Sequence, residues 1–311
     1  EAKVFNRFNA TIEWYKRVTE DLLMQYPIAS SLGFDSYLRN IGSMRNTGFD
    51  ISIGGTVVDA QDFKWDLTLN GSTVKNKVLK LADKPEIISG SFIIKEGEAL
   101  NSFYVARAAG VDPATGMQIY RVFDIDEETG EKDYYYTTNA NLANASREIV
   151  GSRIPDIYGS INNEFRYKGF DLSVMATYSV GGKVLDQLYR SLLYPTYVGQ
   201  TVHANRDRAW KEPGDITDIP RFEIGKTYPV TDNDLIDASY FAIKNITAGY
   251  TLPSRLSRSV NLETVRFTVS GDNMWLFTHL KGMDPQYNFG GSTTFAYTPT
   301  RTVSFGVDIK F

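Results

Sequence analysis

The chain of 311 residues contains no cysteine, only two histidines and only 11 prolines. The missing cysteine removes disulfides, thiol nucleophiles and zinc–thiolate sites together. His203 and His279 have no second histidine in ligand spacing, so both read as loop or interface residues and no metal site is expected. An excess of positive charge is also lacking. The formal net charge is −4, which argues against a phosphate-backbone binder and leaves no nucleic-acid partner. Nor is there an apolar run near the roughly 18 to 20 residues of a membrane-spanning helix. A membrane reading of this chain is therefore a barrel reading, because only helices and closed barrels satisfy their backbone in lipid.

Aromatic residues are abundant, with 19 Tyr and 18 Phe. They suit strands and the girdles of a membrane interface. The last residues, Arg301 to Phe311, show the decisive pattern. Val303, Phe305, Val307, Ile309 and Phe311 are apolar, and Thr302, Ser304, Gly306, Asp308 and Lys310 alternate with them. Period two over this length means a strand with one apolar and one wet face. Bacterial outer-membrane barrels commonly end on such an aromatic, so Phe305, Val307, Ile309 and Phe311 are expected to form the barrel-closing C-terminal signal.

The same alternation recurs upstream. Phe170, Leu172, Val174, Ala176, Tyr178 and Val180 oppose Asp171, Ser173, Met175, Thr177 and Ser179. Ile157 to Tyr167 alternates likewise, and only Lys168-Gly169 separates the two runs, which predicts a tight hairpin. A second hairpin places Phe49, Ile51, Ile53, Gly55 and Val57 beside Phe63, Trp65, Leu67 and Leu69. Further strands are expected at Phe8 to Trp14, Ile246 to Leu252 and Val265 to Gly271, with more near Phe103 to Ala109 and Met117 to Phe123, roughly ten in all. Short connectors (Lys168-Gly169, Asp59 to Asp62, Pro253 to Leu262) contrast with long ones at 76–101, 124–155, 181–237 and 277–299. Short periplasmic turns and long extracellular loops are the outer-membrane pattern. A soluble β-sandwich would show evenly spaced short strands.

Several stretches carry a more specific likeness. Asp237-Ala-Ser-Tyr-Phe-Ala-Ile-Lys-Asn-Ile-Thr-Ala-Gly-Tyr-Thr-Leu-Pro253, Val269 to Thr278 with Lys281-Gly-Met-Asp-Pro285, and Arg301 to Phe311 resemble the closing strands of the SusC/RagA family of TonB-linked outer-membrane transporters. Gly151 to Asp156, Tyr167 to Leu172 and Ile41 to Phe49 fall in the order that family shows. The resemblance implies an all-β, transmembrane antiparallel β-barrel, with residues 1–311 as the C-terminal part of a larger barrel of about 22 strands. The plug and N-terminal domains would lie outside this chain. It also implies a non-enzyme in the bacterial outer membrane, importing a nutrient oligomer, most often an oligosaccharide and sometimes a peptide. Its partners would be a SusD-like lipoprotein lid and, through the missing N-terminal part, the TonB complex. A siderophore or vitamin receptor of similar architecture is the alternative within transport. A soluble carbohydrate-binding β domain is the alternative outside it.

No catalytic constellation and no cofactor motif emerges. The carboxylates of Asp124 to Asp133 suggest a calcium loop, but Thr129 stands where Gly is needed and Tyr135 where Glu is needed. A solvated hairpin tip turning at Thr129-Gly130 fits better. The loop 181–237 holds the binding candidates, because aromatic faces beside planar hydrogen-bonding groups suit sugars, peptides or a protein partner. Tyr194, Tyr197, Arg208 and Trp210 are the residues expected to touch substrate or lid.

Overall fold

The computed structural model describes residues 2–4, 7–28, 31, 33–34, 36–40, 42–81, 85–279, 284–287, 290–293 and 297–311. The alternating segments become ten strands of one antiparallel sheet: β1 (Ala2–Val4), β2 (Phe8–Thr19), β3 (Gly42–Asp59), β4 (Phe63–Thr73), β5 (Lys75–Leu81), β6 (Ile157–Tyr167), β7 (Phe170–Val180), β8 (Tyr240–Thr251), β9 (Thr264–Thr278) and β10 (Thr302–Lys310). Their order is β1-β2-β3-β4-β6-β7-β8-β9-β10, and β5 prolongs the pairing along the upper part of β3. Wall strands thus pair with their neighbours in sequence, the up-and-down order of a barrel wall. Where β6 turns into β7, Lys168 and Gly169 both have positive φ, the backbone of a two-residue hairpin turn.

Pairing register sorts the side chains by solvent. One continuous row runs Val58, Trp65, Phe165, Leu172, Ala248, Val269 and Phe305 across seven strands. The next row toward the long loops, on the opposite face, runs Asp66, Glu164, Ser173, Thr247, Ser270 and Ser304. Because the period is two, apolar residues meet apolar residues across the outward face; Asn163, between Leu67 and Val174, departs from this and accepts from the Trp65 indole N–H at 3.2 Å. Trp65 stacks on Phe165 at 5.7 Å and Phe170 on Tyr250 at 4.2 Å. Many outward side chains stay exposed in the isolated protein, Phe305 at 80%, Ile12 at 64% and Phe170 at 57%. A soluble sandwich would pack such faces on each other. Here these side chains stand on the face opposite the polar rows, as a wall in lipid requires.

Two expectations are corrected. The segments near Phe103 to Ala109 and Met117 to Phe123 are strands, but not wall strands. They belong to small separate sheets within the single long excursion between β5 and β6, where Ser102–Val105 pairs with Phe92–Lys95 and Arg107–Val111 with Gln118–Ile125. Their side chains are buried among themselves, so their apolar residues fill a core instead of facing lipid. A β-bulge between Thr56 and Val58 also shifts the phase of β3, so that Val58 and not Val57 stands opposite Trp65.

The polar face is tied across strands. Arg266 pairs with Asp171 at 2.7 Å, Thr56 donates to Asp66 at 2.6 Å, and Asn245 donates to Asp272 at 2.7 Å. At the short-turn end a cleft of about 680 Å³ is lined by Lys64, Glu164, Arg166, Asp171 and Arg266. The outer edges of β1 and β10 have no strand partner among the described residues.

Candidate functional site at the outer rim

Above the wall, the connections 85–156 and 181–239 fold into a rim with cores of its own. Phe103, Val105, Ala106, Tyr120, Val122 and Ala143 are among the most buried residues of the chain. In the second connection, Lys183–Leu185 pairs with Leu235–Asp237 and closes its base. A helix over Gln187–Leu193 follows, capped by Asp186, whose carboxylate accepts from the Tyr189 amide at 3.0 Å. Leu193, Ala209 and Ile219 form its core, with Tyr189 and Tyr194 packed against them.

The two connections are fastened to each other. Ala106 donates to the Val230 carbonyl at 3.1 Å, the Asp232 amide donates back to Ala106 at 3.1 Å, and Arg107 pairs with Asp232 at 3.0 Å. Arg221 donates to the Gly116 carbonyl at 2.8 Å. The Trp210 indole N–H donates to the Pro113 carbonyl at 2.9 Å while its ring lies flat on Gly116. A Cβ on Gly116 would come within 2.4 Å of that ring, and φ there is +69°, so this position requires glycine on both counts. Residues beyond β9 join the same body: Leu185 donates to Gly291 and the Thr293 amide to Leu185, both through backbone.

A buried polar knot lies beneath. The Arg190 guanidinium donates to the Tyr228 carbonyl and sits 3.6 Å from Asp234, whose carboxylate also accepts from the Thr231 amide at 2.8 Å. Burial raises the Asp234 carboxyl despite Arg190 and the Thr231 hydrogen bonds. Burial likewise pushes the Tyr120 and Tyr194 phenols well above their ordinary value, so both stay neutral donors. At the neighbouring edge, burial would raise Glu148, but hydrogen bonds from Arg121, Lys132 and Tyr134 outweigh it and hold the carboxyl low.

The four expected contact residues do not form one cluster. Tyr194 faces inward on Tyr228, with ring centroids 4.8 Å apart. Trp210 is the fastener just described. Tyr197 is 64% exposed, beside Val198 at 80%, and Arg208 is exposed in a surface ion pair with Asp218 at 3.2 Å. His203 caps a short helical turn, its Nδ1 accepting from the Asn205 amide at 3.1 Å, with its ring edge-on to Tyr189. The tip after Asp124 is a hairpin turn: Asp126 accepts from the Glu128 and Thr129 amides, and Gly130 has φ +72°. Among the described residues no group of three or more His, Cys, Asp or Glu is placed to hold a metal ion. Sequence reasoning passed over the Arg190–Asp234 knot and the Pro113–Gly116 seat. Only the Asp112-Pro-Ala-Thr-Gly turn signature could have pointed to the latter. Of the C-terminal set, Phe305, Val307 and Ile309 stand outward in β10 opposite Val269, Phe267 and Val265, and Phe311 follows the last strand residue at 93% exposure.

An alternating antiparallel wall, apolar outside and polar inside, carrying a folded rim on its long-loop side, defines a portion of a transmembrane β-barrel. No protein-family model matches the chain. It is 32% identical to TonB-dependent receptor P3 of Formosa agariphila, over 98% of this chain and 32% of that protein. It is 24% identical to the TonB-dependent receptor SusC of Bacteroides thetaiotaomicron, over 98% of this chain and 30% of the other. The solved structure of the RagAB peptide transporter matches with a TM-score of 0.86 and 26% identity, covering 98% of this chain and 34% of that one. By sequence and by fold, this chain is similar to part of the SusC-type TonB-dependent receptors and of the RagAB transporter. It spans about a third of the length of the relatives it matches.

Proposed function

We propose that the chain supplies C-terminal wall and outer rim to a TonB-dependent importer of the bacterial outer membrane, and that further strands of the same receptor close the sheet at β1 and β10. The supporting observation is the combination of an apolar outward face with a rim whose two connections are folded and fastened to each other. Plug and energy-coupling segments belong to the remaining length of such a receptor. This chain alone provides wall and loops, and its role is that of a non-enzyme.

The cargo in this reading is a nutrient oligomer held beneath a SusD-like lipoprotein. An oligosaccharide is the first candidate; the RagAB neighbour, a peptide transporter by name, favours a peptide. Tyr197 and Arg208 are the proposed contacts of cargo or lid, with Tyr194 and Trp210 holding that surface in shape. Truncating Trp210 to Ala in the complete receptor should weaken lid association or uptake and leave barrel assembly intact. Tyr197→Ala should do the same without loosening the loop. Uptake of fluorescent glycan and peptide libraries by cells carrying each variant is the test. Wild-type uptake of every cargo by both variants, with the lipoprotein bound as before, would remove this assignment.

A further inference from the structure

The strands β2 to β5 rise past the apolar belt, and what they carry there differs from the rest of the wall. On β2 the outward positions run Phe8, Ala10, Ile12, Trp14, Lys16 and Val18. Trp14 stands opposite Phe49, and both are exposed. One pleat higher, about 7 Å along the strand, Lys16 pairs with Thr47 and Thr47 with Lys75. One pleat higher again, Val18 pairs with Arg45 and Arg45 with Lys77. Past a bulge, Ser43 pairs with Lys80. Pairing keeps cross-strand neighbours on one face, so Lys16, Arg45, Lys75, Lys77 and Lys80 share the outward side directly above the Trp14–Phe49 belt. The four lysines are exposed and Arg45 is half-buried.

None of the five has an ion-pair partner among the described residues. The acids nearest on these strands, Glu13 and Asp50, stand opposite each other on the other face, toward the lumen. Glu20 lies past the end of β2, Glu98 meets Val78 through its backbone carbonyl, and Glu96 is the one carboxylate at the upper end of β5 among the described residues, accepting from the Leu81 amide at 2.7 Å. This sector is therefore strongly cationic in a chain whose net charge is −4. Unpaired cations placed just outside an apolar belt meet the headgroup layer, with their stems lying along the apolar surface.

We propose that this sector is a lipid-headgroup site, in which Lys16, Arg45, Lys75, Lys77 and Lys80 bind the phosphates of anionic lipids in the outer leaflet. The apolar residues below would take the acyl chains, and Arg45, rigid and forked, would give the most directional phosphate contact. The site rests on the barrel fold and is independent of what the receptor imports.

Trp14 provides a reporter inside the site. The complete receptor is reconstituted with brominated phosphatidylglycerol or brominated phosphatidylcholine, and the quenching that disappears in Trp14→Phe is taken as the Trp14 signal. Wild type should prefer the anionic lipid on the order of tenfold. Each cation removed should reduce that preference about twofold. The triple variant Arg45→Gln, Lys75→Gln, Lys77→Gln should come close to parity, and inorganic phosphate at constant ionic strength should leave the wild-type preference unchanged. Parity in wild type, or a preference retained by the triple variant, overturns the proposal. Loss of the preference to inorganic phosphate also overturns it, assigning the cations to a free anion. If the triple variant does not assemble, the pair Lys16→Gln, Lys80→Gln at the ends of the column reads the same quantity.

Discussion

The wall and the rim use similar residues for opposite purposes. In the wall, Phe305, Phe170 and Ile12 are exposed, paired across strands, and repeat with period two. In the rim, Phe103, Tyr120 and Val122 are buried to 1% exposure or less. An exposed aromatic is stable in the wall because lipid is the solvent there. An exposed aromatic in the rim, such as Tyr197, must find a partner or remain in water. Exposure alone therefore carries no single meaning in this molecule; its meaning depends on the height above the belt.

The largest expected effect separates the two regions directly. Phe103 is fully buried and packs against Phe92 with centroids 5.1 Å apart. Phe103→Ala should cost the rim about 3–5 kcal/mol. Hydrogen exchange should rise across 85–156 while the barrel keeps its heat-resistant mobility on gels. Melting of wall and rim together would show one cooperative unit and end the comparison.

Next comes the outward face itself. Val174 lies between Asn163 and Ile246 in the middle of the wall. Arginine there should cost about 2–4 kcal/mol, whereas arginine at neighbouring Ser173, on the lumen side, should be mild. Assembly yields of the two variants in membranes measure the difference, and equal losses would reverse the assignment of faces.

Deleting Phe311 should do less to the finished barrel, at most about 1.5–3 kcal/mol, because that residue sits beyond the last pair of β9 and β10. Its effect should appear in cells, where an unassembled and protease-sensitive receptor accumulates while detergent-refolded protein keeps its heat stability. Normal assembly of the deletion in cells would reduce Phe311 to the end of a strand.

The smallest effect is one of pH and belongs to the rim. Glu148 has a folded-state pKa below its ordinary value, so its contribution is present above the ordinary glutamate range. It is lost as pH falls through the lower folded value. The protection factors of the amides in Lys132–Thr137, taken relative to the intrinsic exchange rate at each pH, should therefore fall on acidification in wild type, and less steeply in Glu148→Gln. An identical acid response in both would mean that Arg121, Lys132 and Tyr134 hold the edge without the carboxylate.

The sequence by itself determined the wall. Alternation at Phe170 to Val180 and Arg301 to Phe311 marks face, strand length and hairpin partner, because a period of two leaves each side chain only two directions. Short and long connectors likewise indicated which end carries the rim. Phase within a strand was less legible: the bulges at Thr56–Val58 and Ile243–Asn245 shift the pattern by one residue without a compositional mark. The rim was decided by tertiary structure. Phe103 to Ala109 alternates like a wall strand, and only its burial against Tyr120 and Val122 tells a core strand from a lipid-facing one. Trp210 is a fastener because Gly116, far away in the chain, offers it a flat seat. The five outer cations lie in three separate segments, and strand register alone puts them on one face.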